Sequence, residues 1–114
     1  MAVSRKEAIR AFKERKTPRG IFAVRCSATA SVWVDSAMDL DAAENRTWFA
    51  LRLGDRFLDP TIGAEFQEHG RDVFSFEILE KLEDDVTPMA VRGLLKDKKA
   101  EWVGKLGARR LSPG

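Results

Sequence analysis

The 114-residue chain contains no tyrosine, one cysteine and one histidine. Without tyrosine there is no phenol anywhere to relay a proton or to hydrogen-bond a nucleophile. A lone Cys26 excludes an internal disulfide, and its place at the end of an apolar run marks it as a small buried hydrophobe. His69 has no second histidine or cysteine cluster with which to form a zinc site, and its position before Gly70 suits a helix C-terminus. Apolar stretches are short: none approaches the roughly 20 residues that span a bilayer. No signal-peptide core opens the chain, so a cytoplasmic protein without membrane contact is expected. Internal repeats and low-complexity tracts are absent too. With 44% hydrophobic and 33% charged residues, this length suits one globular domain with a modest core.

What charge there is lies unevenly. The formal net charge is only +2, but residues 1–26 hold eight Lys or Arg against Glu7 and Glu14, residues 27–90 hold five against fourteen acidic side chains, and residues 91–114 hold seven against two. Two readings stand side by side. The basic ends can form a phosphate-neutralising stripe, with Lys13, Arg15, Lys16, Arg19 and Arg25 as its candidate residues. Alternatively they are solvated faces that offset an acidic middle.

Gly20-Ile21-Phe22-Ala23-Val24-Arg25-Cys26 and Ser31-Val32-Trp33-Val34-Asp35-Ser36 are rich in β-branched and aromatic residues and read as paired strands joined by small turn residues. Asp39 is an N-cap for a helix reaching Leu53, with Leu40, Ala43, Thr47, Ala50 and Leu51 on its apolar side and Gly54 as its C-cap. Asp59-Pro60 starts another helix that docks through Ile62 and Phe66 and stops at Gly70. Val73 to Glu80 alternates as a half-buried strand with Phe74, Phe76 and Ile78 on one face. Thr87-Pro88 opens a last helix carrying Val91, Leu94, Leu95, Trp102 and Leu106 to Gly107. Ahead of all this, Ser4 and Glu7 form a capping box for a basic helix bearing Ile9 and Phe12. The expectation is an α+β fold: a small three-stranded antiparallel sheet flanked by helices, with an extra N-terminal helix. Residues 1–18 form that helix and a linker, 19–107 the domain, and 108–114 a loose basic tail.

Gly20-Ile21-Phe22 in the first strand and Trp33-Val34-Asp35 in the second resemble the two motifs of the GIY-YIG nuclease domain. So does the run from His69 to Glu80, followed by a helix with the pair Trp102-Val103, and the resemblance covers roughly Arg19 to Leu106. It implies the same element order and a metal-dependent phosphodiester cleavage. One divalent ion is then held by a glutamate of the last helix, while motif tyrosines and an arginine manage the nucleophile and the phosphate charge.

Placed on this sequence, those roles fall on Phe22, Trp33, Ala43 and Lys99, none of which can perform them. Phe22 lacks the phenol oxygen and Trp33 offers only an indole donor. Ala43 stands eight residues after Asp35, where the arginine belongs, and Arg46 is a candidate substitute. Lys99, three residues before Trp102, stands where the glutamate belongs. Asp35, Asp97 and Glu101 are the carboxylates left as alternative metal ligands, although Asp97 and Glu101 are each two helical steps from Lys99. The expected protein is therefore a catalytically decayed GIY-YIG-like domain that needs no cofactor and binds DNA or RNA without sequence preference, or binds a protein. An active endonuclease using Mg²⁺ or Mn²⁺ at a relocated site is one alternative. The other is a pure interaction domain presenting Trp33, Trp48 and Phe57 as an exposed patch.

Overall fold

Residues along Gly20–Cys26 alternate so that Phe22, Val24 and Cys26 face one way and Ile21 and Ala23 the other, and both sets are buried. The computed structural model describes residues 18–55, 57–83 and 86–112, and makes this segment β1, a strand with a layer on each side. β2 (Ser31–Ala37) pairs with it antiparallel after a tight turn. β3 (Phe74–Lys81) pairs antiparallel along its other edge. α1 (Leu40–Leu53) and α2 (Pro60–His69) precede a 3₁₀ turn at Arg71–Val73, and α3 (Pro88–Leu106) follows β3.

The helix boundaries follow from local chemistry. The Asp39 carboxylate accepts the Ala42 N–H at 3.1 Å at the start of α1, and Gly54 closes that helix at φ 70°. Asp59 accepts the Thr61 N–H at 3.0 Å beside Pro60. One core forms where Leu40, Trp48 and Leu51 of α1 and Ile62 of α2 cover Phe22, Val24, Cys26, Trp33 and Phe74. On the opposite face Val91 and Leu95 of α3 cover Ile21, Ala23 and Val34.

Three expectations need correction. The sheet has four strands, not three, and it is mixed: β4 (Arg109–Arg110) pairs parallel to β2, giving the order β3-β1-β2-β4. Residues 108–112 are accordingly not a loose tail. Leu111 is buried, its N–H donates to the Val34 carbonyl at 3.0 Å, and its carbonyl accepts the Asp59 N–H at 2.7 Å. A two-residue strand has no periodicity to read; its partner strand imposes the conformation. The proposed aromatic patch does not exist either, because Trp33 and Trp48 belong to the core while Phe57 alone is exposed. Residues 1–17, on which the expected basic helix with Lys13, Arg15 and Lys16 falls, lie outside the described residues.

Gly20 has a steric reason to be glycine. The register between β1 and β3 skips Leu79, and this brings the Glu80 backbone so close that a Cβ on Gly20 would lie 1.9 Å from the Glu80 carbonyl oxygen.

Candidate functional site

Phe22 and Asp35 are directly paired across β1 and β2, so both side chains lie on the α1 side of the sheet. Ala43, Arg46 and Thr47 sit about one turn apart on α1 and face the same end. Together with Asp55, Leu58, Leu111 and Ser112 they line a cleft of about 420 Å³. Its walls are firm: Phe22 stacks on Phe76 with centroids 4.8 Å apart, and the buried Thr47 hydroxyl donates to the Ala43 carbonyl at 2.8 Å. Arg46 is exposed at the rim and makes no hydrogen bond or ion pair with any other described residue.

Against Asp35 and Ser112 of the cleft wall stands a buried cation. Val91, Leu95 and Lys99 recur every four residues on the inner side of α3, so a lysine continues the apolar row. Its side chain is 3% exposed. The ammonium lies 3.0 Å from Asp35 Oδ1 and donates to the Ser112 carbonyl at 2.8 Å. Asp35 Oδ2 accepts the Ser112 hydroxyl at 2.6 Å, and Oδ1 also accepts the Ser36 N–H at 2.8 Å. Burying an ammonium is costly unless it is paired and hydrogen-bonded, and here it is both.

Other candidates lie elsewhere. Trp33 is fully buried and its indole N–H donates to Thr61 Oγ1 at 3.0 Å, away from the cleft lining. Asp97 is exposed, and Glu101 pairs with Lys105 at 3.0 Å. Arg25 pairs with Glu77 at 2.8 Å on the sheet. Arg19 is half-buried beside β3, its carbonyl accepting the Leu82 N–H at 2.7 Å. A second charged group, remote from the cleft, joins Glu80 to Lys98 at 2.9 Å and to the Trp102 indole at 3.0 Å. The hydrogen bonds from Lys98 and Trp102 hold the Glu80 carboxyl below its ordinary value, and the Glu80 carboxylate raises Lys98.

Two partners in the site escaped sequence reasoning. Ser112 carried no signal. The contact of Lys99 with Asp35 did carry one: a cation where a carboxylate is expected and a carboxylate where a glycine is expected are complementary changes.

The structure of the catalytic domain of the homing endonuclease I-TevI matches this chain with a TM-score of 0.65 at 25% identity, over 78% of this chain and 88% of that one. A mutant of the same intron endonuclease domain gives a TM-score of 0.66 at 23% identity, over 80% and 86%. This is a GIY-YIG-like domain. No family model and no curated protein matches its sequence.

The GIY-YIG fold implies a divalent metal, and the residues at the corresponding place can be tested for fit. Mg²⁺ takes oxygen ligands at about 2.0–2.1 Å in a near-octahedral shell. Here an ammonium already engages Asp35 Oδ1 and the Ser112 carbonyl, and Ser112 engages Oδ2. Among the described residues no group of three or more His, Cys, Asp or Glu comes together to hold a metal ion. This donor set does not suit a divalent cation.

Proposed function

We propose that this GIY-YIG-like domain no longer cleaves phosphodiesters and instead serves as a nucleic-acid-binding module that needs no metal. The observation carrying the proposal is the buried Lys99 ammonium, 3.0 Å from Asp35, at the position where the resemblance requires a metal-binding glutamate. Further support comes from the other positions. Phe22 brings no hydroxyl to the cleft and Ala43 no guanidinium, while the one polar atom of the Trp33 side chain is committed to Thr61. Stabilising the charge that develops in the transition state usually contributes most to such catalysis, and losing one well-placed group costs about 100-fold to 1000-fold.

The direct test is a nicking assay on supercoiled plasmid in Mg²⁺ or Mn²⁺. Purified protein is expected to nick no faster than a mock preparation. Metal-dependent nicking that co-purifies with the protein, and disappears in Arg46→Ala or Asp35→Ala, overturns the reading and identifies a relocated site.

A further inference from the structure

The cleft beside α1 is not isolated. A second hollow of about 350 Å³ opens on the α3 side, and the two share Asp35, Ser36, Met38 and Ser112 as a common wall. Arg46 stands on the outer side of the first hollow; Arg92 and Lys96, one turn apart on α3, line the second. All three cations are exposed, and none has a hydrogen bond or ion pair with another described residue.

We infer that these two hollows form one phosphate-binding groove, in which Arg46 on one side and Arg92 with Lys96 on the other hold successive phosphates of a nucleic-acid backbone without a metal. This rests on the nucleic-acid-binding reading above and assigns it to a surface other than the basic N-terminal segment. The charge balance argues for it. Asp35 is the carboxylate in the shared wall, and Lys99 neutralises it from inside, so the wall does not repel an anion. The other acidic lining residue, Asp55, accepts the Phe57 N–H at 2.8 Å. Guanidinium groups fork onto phosphate oxygens in charge-assisted pairs, and Arg46, Arg92 and Lys96 outweigh the one remaining carboxylate, Asp55, so the groove is net positive. Met38, 53% exposed between the hollows, adds a soft apolar contact for a sugar.

Fluorescence anisotropy of a labelled DNA duplex at low salt tests the groove, using the full chain in EDTA and again in Mg²⁺. Binding is expected to be equal in both. Arg46→Ala is expected to weaken it several-fold and Arg92→Ala with Lys96→Ala by more, and the slope of log affinity against log salt should fall by about one per cation removed. Lys81→Ala, exposed at the end of β3, should leave binding unchanged. Since all four side chains are exposed, the melting temperatures should match the wild type and exclude misfolding as the cause. If wild type binds and the triple variant Arg46→Ala, Arg92→Ala, Lys96→Ala binds equally, the groove is wrong while the nucleic-acid reading stands. Loss of wild-type binding in EDTA also overturns it. If wild type does not bind at low salt, the nucleic-acid reading itself fails, and the groove with it.

Discussion

Gly20 and Asp35 stand at the two positions where the motif resemblance places a glycine, and they lie near one another on adjacent strands. At Gly20 a Cβ would collide with the Glu80 carbonyl oxygen, whatever the domain binds or cleaves. At Asp35 a full side chain is accommodated and finds Lys99, Ser36 and Ser112. The first glycine is required by strand packing. The second position tolerates a carboxylate because α3 supplies the matching cation. Requirements of the fold and requirements of the chemistry are thus separable within a single sheet.

The largest effect expected from breaking this contrast is at Lys99. Lys99→Ala leaves Asp35 without its cation and should lower stability by about 3–5 kcal/mol in urea unfolding. Lys99→Met combined with Asp35→Gly removes both charges and should recover most of that loss. A double variant as unstable as the single one would show that the ion pair is not what holds the site together. Next comes Gly20→Ala, which forces β1 and β3 apart and should cost about 1–3 kcal/mol. Gly63→Ala sharpens the point: it is a helical glycine with nothing within 4 Å of an added Cβ, and should gain up to about 1 kcal/mol. If both glycine variants shift the melting temperature in the same direction, the steric account of Gly20 is wrong.

The smallest effect separates the buried pair from an exposed one. Glu80 and Lys98 are each about one-third exposed, so solvent and salt screen their attraction. Because the folded Glu80 carboxyl is held below its ordinary value of 4.5, its contribution is present above 4.5 and is lost as pH falls through the lowered value. Lys98 runs the opposite way: its contribution is present below 10.5 and is lost as pH rises through the raised value. The melting-temperature gap between wild type and Glu80→Gln should therefore be small at neutral pH and close in acid or in high salt. A gap that persists in strong acid would assign the effect to packing instead.

Much of the fold was legible because it rests on neighbours in the chain. The caps at Asp39 and Asp59, the C-cap at Gly54 and the burial of Cys26 all follow from residues within a few positions. β4 was not legible, since Arg109 and Arg110 carry no strand signal and take their conformation from β2. In the site, the unusual residues were each visible at Phe22, Asp35, Ala43 and Lys99. Their grouping was not: the joining of Asp35 to Lys99 and Ser112 depends on how α3 crosses the sheet. Trp33 shows the opposite failure, where a motif position suggested a cleft residue and its bulk placed it in the core. Arg92 and Lys96 carry no signal of their own in the sequence, because only the packing of α3 beside β2 places them on the second hollow.

β4 has a consequence beyond completing the sheet. An uncovered strand edge is a row of free amide and carbonyl groups onto which another chain can add itself. Arg109 and Arg110 cover β2 at Trp33 and Val34, the segment whose apolar side chains would make it most adhesive. Both arginines are exposed, so a second copy approaching this edge meets its own charge. Clipping the chain after Gly107 strips that guard from β2 and leaves its Trp33–Val34 segment as a bare edge onto which another chain can add, a template for aggregation.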